Sequence, residues 1–553
     1  MTVQPILLYD TTLRDGTQGE NISFTAEEKM AVAQKLDDLG IHYIEGGWPG
    51  SNPRDMKFFE LAEGVKFKNA RLTAFGATRK PNIQACEDPN LAALLQSRTP
   101  VVTIFGKTWD LHVRQVMANT LAENLAMIED SVRYLAENGR EVIYDAEHFF
   151  DGWFDNAAYA AKTLLAAAKA GAKVLVLCDT NGGTLPHDID SVTATLKAQL
   201  NAALDGAIDK GKIRIGIHTH NDSALAVANT IAAVRVGATM VQGTINGYGE
   251  RCGNADLTAI IPILTVKMKI PCITDDNLKK LRSVSRFISE KANVTPLKSR
   301  PFVGESAFAH KGGIHVSAVM KEPRAYEHMV PEQVGNARRV LMSDLSGKSN
   351  VEYRASELGI NLSNKGDSRA IVSQIKMMEQ AGYQFDAADG SFEIFMKKAT
   401  GKFIPFFKLK SFRIGTEKNE NDTCHSYATI KIIVGGQEEI TAAEGFGPVS
   451  ALDNALRKAL EKFYANNLDS MHLVDYKVRV LDGRDGTSAK VRVLIDSRDE
   501  SHVWSTIGVS EDIIEASWQA LADSFQYKLA KCKANGKLET DDRNQQEIKG
   551  EPS

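Results

Sequence analysis

The 553-residue chain is most informative at first for what it does not contain. Its six cysteines (Cys86, Cys178, Cys252, Cys272, Cys424 and Cys532) form no CxxC pair and no disulfide-like spacing. That argues against a thiolate metal finger and against a secreted disulfide scaffold. No apolar run approaches the roughly 18 residues of a bilayer span. There is no dense Lys/Arg run either: 66 basic against 70 acidic residues give a net charge of −4. A nucleic-acid or anionic-membrane partner is therefore not expected. The start, residues 1–10, enters a strand-like run at once and resembles neither a signal nor a transit peptide, so a cytoplasmic protein is expected. What is present is an ordinary folded composition, 43% hydrophobic and 25% charged. At roughly 150 residues per domain, the length suggests about three or four domains, or one barrel with additions.

The first half alternates short β-branched runs with longer amphipathic ones. Strands are expected near residues 5–10, 41–46, 70–76, 100–105, 140–146, 173–179, 213–219 and 239–245. Helical patterns lie between them, such as Thr25 to Leu39, Leu121 to Asn138, Ala157 to Ala170 and Ala224 to Val236. Thr25 with Glu28 reads as a capping box, and Gly40, Gly139, Gly171 and Gly237 as stop signals. Eight strand–helix units in about 270 residues predict a (β/α)8 TIM barrel, with a doubly wound sheet as the alternative. Residues 271–402 read as a helical linker or lid region. Residues 403–532 read as an α+β domain with a two-fold pseudo-repeat, Ser450 and Ser510 each opening a helix. The polar stretch 533–553 is expected to be disordered.

In a barrel, chemistry sits on the loops after the strands. Arg14 and Asp15 follow strand 1, Glu147 strand 5, and Asp179 and Thr180 strand 6, while His218 and His220 end strand 7. A lone polar residue there would be a cap or turn former; a cluster at most strand ends is not. His218 and His220, two apart on a strand, share a face. Barrel closure makes strands 7, 8 and 1 neighbours, so these imidazoles, Asn254 and Asp15 converge. Two imidazoles, a carboxylate and an amide suit octahedral Mn2+ or Mg2+, with Zn2+ as the alternative. Asn221 and Asp222 either support that site or cap the next helix. Arg14 adds a fixed cation, fitting a substrate that presents a carboxylate and an adjacent keto oxygen. Alone, Arg14–Asp15 would read as a turn salt bridge. The run Gly247 to Gly253 is spaced G-x-G-x-x-x-G, which fails the dinucleotide pattern.

Three stretches carry a family resemblance. Leu13-Arg14-Asp15-Gly16-Thr17-Gln18 with Lys29, His218-Thr219-His220-Asn221-Asp222, and Asn246 through Asn254 resemble the three signatures of the 2-isopropylmalate/homocitrate/citramalate synthase family. Ala224 departs from the glycine usual in the second signature. An added methyl there is expected to shift the first turn of the following helix. Tyr144 to Gly152 and Cys178 to Thr184 are most similar to the citramalate branch. The resemblance implies condensation of acetyl-CoA with a 2-keto acid followed by thioester hydrolysis. By position it assigns Asp15, His218 and His220 to the metal, with Asn254 close by or ligating. Arg14 and Thr180 would bind the keto acid, Glu147 and His315 are acid–base candidates, and Tyr326 assists. Imidazole is suited to proton abstraction near neutral pH, which favours His315 with Tyr326 over Glu147 as the base. A homodimer is implied too, in which His315 can serve the partner's barrel.

The branch resemblance selects pyruvate, whose methyl group calls for an apolar wall; Phe75 and Ile104 are the candidates. Lys107, His112 and Arg114 after strand 4 leave a second substrate carboxylate open on charge alone. An isopropylmalate or homocitrate synthase, or a lyase of the same superfamily, stays as the alternative. The C-terminal pseudo-repeat is expected to sense an end product, isoleucine.

Overall fold

The structure, a computed structural model, describes residues 5–362, 365–418, 420, 423–464, 467–481, 489–500, 502–536 and 538. The chain divides into two compact units. One runs through Phe308 and includes His328–Arg338; the other takes Ala309–Glu327 and the chain from Arg339 onward.

In the first unit eight parallel strands close in chain order: β1 (Leu7–Asp10), β2 (Tyr43–Gly47), β3 (Arg71–Ala77), β4 (Val101–Lys107), β5 (Glu141–Glu147), β6 (Val174–Asp179), β7 (Arg214–Thr219) and β8 (Met240–Gly243). β1 is hydrogen-bonded on both edges, to β2 and, from Leu7 to Asp10, to Met240–Gly243 of β8. That closure excludes the doubly wound alternative, whose sheet would keep two free edges. The crossover helices are α1 (Ala26–Leu39), α2 (Pro53–Ala62), α3 (Pro89–Gln96), α4 (Leu121–Glu137), α5 (Phe149–Ala170), α6 (Pro186–Ala203), α7 (Ala226–Arg235) and α8 (Leu257–Pro262).

Local chemistry sets several of these boundaries. Thr25 Oγ1 accepts from Glu28 N at 3.1 Å and Thr25 N donates to the Glu28 carboxylate at 2.9 Å, completing the capping box. Gly40 ends α1 at φ 94°. α5 begins eight residues before the expected Ala157, with a break at Asn156 (φ −150°, ψ 81°). There Asn156 Oδ1 accepts from Tyr159 N at 3.1 Å, a local cap that restarts the helix. Ala224 lies before α7, at φ 58°. The methyl therefore costs backbone strain of about 1–2 kcal/mol in a left-handed turn, and the helix's first turn is not where it acts.

Strand alternation divides the apolar residues into two layers. Val102, Ile104, Tyr144 and Leu175 face the helices, whereas Tyr9, Val101, Ile143 and Val176 fill the barrel. α9 (Asp275–Leu278) and α10 (Leu281–Lys291) complete this unit, Asn246 Nδ2 donating to Ser285 O of α10 at 2.9 Å.

The second unit opens with β9 (Ala309–His310), α11 (Gly313–Val319) and β10 (Arg339–Val340), the two strands pairing in parallel. α12 (Lys348–Glu357), α13 (Lys365–Gln380) and α14 (Asp389–Ala399) follow. Two sets of three antiparallel strands and a helix come next. The first is β11 (Lys408–Lys418), β12 (Cys424–Val434), β13 (Gln437–Gly445) and α15 (Pro448–Glu461). The second is β14 (His472–Val480), β15 (Val491–Arg498), β16 (Val503–Ser510) and α16 (Ile513–Ala534). The repeat stands, but Ser450 lies in the first turn of α15 and Ser510 ends β16. Pro448 starts α15, and Asp512 caps α16 by accepting from Ile514 N at 2.7 Å, so neither serine is the cap. Of the expected tail, Lys533 and Ala534 finish α16; 537 and 539–553 lie outside the described residues. No helix among the described residues is long and apolar enough to cross a membrane.

Candidate active site

Every barrel strand delivers its last residue to the same rim, so residues distant in sequence converge there. A pocket of about 200 Å3 opens at that rim, with Arg14, Asp15, Glu147, Thr180, His218 and His220 in its lining. A larger cavity of about 720 Å3 lies near the opposite strand ends, around Arg71 and Pro100. Its two arginines are already paired, Arg71 with Glu141 and Arg98 with Glu63.

Asp15 begins a tight turn after β1, and His218 and His220 come off the end of β7. Asp15 Oδ2 stands 3.5 Å from His218 Nε2 and 3.9 Å from His220 Nε2, and the two Nε2 atoms are 3.2 Å apart. Among the described residues this is the one cluster of three such side chains close enough to share an ion. Several features fit a divalent cation. His218 Nδ1 donates to Gln242 Oε1 at 2.9 Å, while Gln242 Nε2 donates to Asp145 Oδ1 at 3.0 Å, which leaves the Nε2 lone pair of His218 facing Asp15. Asp15 Oδ1 and Asn254 Oδ1 are buried without a hydrogen-bond partner. Each would cost about 1–3 kcal/mol if nothing met it. Burial pushes both imidazoles down, His220 to about 4. Burial alone would raise the Asp15 carboxyl, but Arg14, His218 and His220 hold it below its ordinary value. Neutral imidazoles beside an ionised carboxylate are the ligand form.

Asn254 is brought to this cluster by the glycine-rich loop. Gly249 sits at φ 151°, and a Cβ there would lie 2.1 Å from Asn254 Nδ2; Asn254 Nδ2 donates to Tyr248 O at 3.1 Å. Close approach is thus what Gly249 provides. Asn221 takes the capping alternative, its Oδ1 accepting from Ala226 N at 3.2 Å. Asp222 instead holds Arg251 through both oxygens, at 2.8 and 3.0 Å.

Arg14 is more than half of a turn salt bridge. Its Nε donates to Glu45 Oε1 at 2.5 Å, Nη1 lies 3.2 Å from Asp15 Oδ2, and Cζ sits 3.6 Å from the Phe75 ring centroid. Burial opposes the charge, yet Glu45 and then Asp15 keep the guanidinium pKa above its ordinary value. Glu45, fully buried on β2, also accepts from the hydroxyls of Thr11 (2.5 Å) and Tyr9. Thr180 Oγ1 accepts from His148 N at 2.9 Å, so its own proton faces no fixed partner in that bond. Glu147 is ion-paired with Lys107.

The apolar wall differs from expectation at one position. Phe75 lines the pocket, but Ile104 points outward into the helix layer, because odd-numbered residues of β4 face the barrel interior. Phe105 takes that place, stacked on Phe75 at 5.5 Å. Neither His112 nor Arg114 lines the pocket, and Lys107 is engaged by Glu147. Trp48, Glu45, Gln242 and Arg251 were not singled out from sequence. Glu45 had a signal, a lone carboxylate inside an apolar strand; Gln242 and Trp48 had none without the barrel's register.

His315 and Tyr326 belong to the second unit, where their rings stack at 4.3 Å and 28°. The segment that carries them is pinned between His310 Nε2 and Glu327 Oε1, 3.2 Å apart.

Comparisons with known proteins match three successive stretches of the chain. The HMGL-like family matches residues 5–288, the homocitrate synthase post-HMGL domain-like family 302–382, and the LeuA allosteric (dimerisation) domain 386–529. The chain is 54% identical to an (R)-citramalate synthase of Geobacter sulfurreducens, over 95% of this chain and 98% of that one. It is 51% identical to one of Aquifex aeolicus, over 97% and 100%. A 2-isopropylmalate synthase of Shewanella woodyi is 30% identical over 96% and 97%.

Proposed function

The chain belongs to the HMGL-like family and, within it, to the (R)-citramalate synthases; from that membership we propose that it condenses acetyl-CoA with pyruvate and hydrolyses the thioester, giving (R)-citramalate and CoA. The observation that carries this reading is the high identity to named citramalate synthases along the whole chain, against the much lower identity to the isopropylmalate synthase. The pocket supports it. Arg14 and the Asp15/His218/His220 cluster line it together, which suits one carboxylate and one keto oxygen.

In the reaction, Arg14 holds the pyruvate carboxylate, its guanidinium already oriented by Glu45 and Phe75. The Thr180 hydroxyl donates a second hydrogen bond to it. Asp15, His218 and His220, with Asn254 Oδ1 as a further ligand, would hold a divalent cation, which when bound would supply Lewis-acid polarisation of the keto oxygen and stabilisation of the charge that grows there. Mn2+ or Mg2+ fits this nitrogen and oxygen set, with Zn2+ second. His315, steadied by Tyr326, takes a proton from the acetyl methyl; the resulting enolate carbon bonds to the keto carbon, whose oxygen becomes an alkoxide and is protonated to the alcohol. Water then cleaves the thioester, leaving a carboxylate and the CoA thiol. Glu147 is the second candidate for that base. The C-terminal repeats act as a dimeric feedback domain whose effector is isoleucine.

The test is a keto-acid panel: purified protein with Mn2+ and acetyl-CoA should release free thiol fastest with pyruvate. A clear win for 2-ketoisovalerate or 2-ketoglutarate would reject the assignment. In the same assay His315→Ala should lose about 10²–10⁴-fold in kcat with little change in pyruvate KM. Near wild-type turnover would pass the role to Glu147.

A further inference from the structure

One wall of the pocket is made of three aromatic rings, and we infer that Trp48 is its specificity-determining residue, the side chain that restricts the keto acid to a methyl substituent. This rests on the reading of the pocket as a keto-acid site. Trp48 follows β2 and meets Phe75 edge-on at 5.7 Å and 83°, and Phe105 at 5.7 Å and 82°. Phe75 in turn lies beneath the Arg14 guanidinium. A 2-keto acid has one carbon between its carboxylate and its side chain. Whatever Arg14 holds therefore brings that side chain within reach of this wall.

The indole is not free to turn aside. Its Nε1 donates to Asn90 Oδ1 at 2.7 Å, and Asn90 Nδ2 donates to Ala77 O at 2.8 Å, tying the ring to the end of β3. The backbone is tied as well. Trp48 N donates to Asp55 Oδ2 at 2.8 Å, and Asp55 Oδ1 is 2.5 Å from Nζ of buried Lys29, which also donates to Gly46 O at 2.9 Å. Gly47, the last residue of β2, sits at φ 151°, and a Cβ there would lie 2.4 Å from Asp55 Cγ, so the strand end admits no side chain at that point. A half-buried tryptophan without these ties would swing out and accept a larger ligand; a pinned one is a fixed steric limit. Phe75 and Phe105 stand on barrel strands, whereas Trp48 is carried by a loop. Trimming Trp48 thus enlarges the pocket without cutting into the barrel core.

The experiment compares kcat/KM for pyruvate, 2-ketobutyrate and 2-ketoisovalerate in the full-length protein with Mn2+ and acetyl-CoA. Trp48→Ala should raise the 2-ketobutyrate-to-pyruvate ratio by about 10–200-fold, the range one methylene is worth in an apolar pocket. Asn90→Ala, which removes only the tie, should move the ratio in the same direction by less. A wild type that favours 2-ketoisovalerate would reject the pyruvate reading itself. A wild type that favours pyruvate, with ratios unchanged within about twofold in both variants, would overturn the role of Trp48 while leaving that reading intact. Should Trp48→Ala not fold, Trp48→Phe with Asn90→Ala makes the same comparison, under the same criterion.

Discussion

Arg14 can serve a buried anion site only because Glu45 lies beneath it, a charge pair that neither residue would survive alone in that interior. Asp145 shows the opposite case. Burial, reinforced by Glu45 and opposed by Arg14, pushes its carboxyl up from 3.8 to about 8. The folded chain therefore keeps a proton that the unfolded chain releases. The stability from that proton is complete below pH about 4 and is lost as pH rises toward 8. In metal-free buffer the melting temperature should fall between about pH 5 and 8, and Asp145→Asn, which cannot ionise, should flatten the fall. An unchanged slope would assign the titration to another group. Single residues also mark where sequence reading stops. His218, His220, Asp15 and Arg14 were legible because their types and spacing are chemically unusual. Ile104 was mistaken for Phe105 because a one-residue error in phase moves a side chain from the pocket to the opposite face.

At the level of elements, the eight strands lie within a few residues of their expected positions, since each is an apolar run bounded by caps and glycines. The glycine-rich loop is where element geometry meets chemistry. Gly249 lets Asn254 approach the histidines, so Gly249→Ala must push that amide away. Activation by Mn2+ should then require about 10–100-fold more metal, as when a supporting group around a metal site is lost. A titration matching the wild type would detach the loop from metal binding. The less regular elements were harder to read. β11, β14 and β16 are edge strands, polar or mixed in pattern, and their pairing partners decide them more than their own sequence does.

At the scale of the molecule, the apolar clusters around and inside the barrel lie in one compact unit, and those of the α12–α14 segment and of the C-terminal sheets with α15 and α16 in the other, which makes two candidate units of folding. Thermal unfolding should therefore show two transitions. Isoleucine, the effector proposed above, at about 100 times its Kd should stabilise only the second unit, by about 2.7 kcal/mol, and Mn2+ with pyruvate only the first. Calorimetry with site-resolved amide exchange reads both. One transition moved equally by both additions would mean that the units unfold together. The sequence by itself determined the eight strand–helix units, the metal-type cluster and the family, because periodicity, caps and rare residue spacings are local properties. Closure of the strands into a barrel was decided by the pairing of β1 with β8. Only the tertiary structure decided which face of each strand meets the pocket, how Glu45 and Gln242 orient Arg14 and His218, and that Trp48 is fixed by Asn90 and Asp55. Those depend on strand phase and on contacts between residues tens to hundreds of positions apart, which no local pattern records.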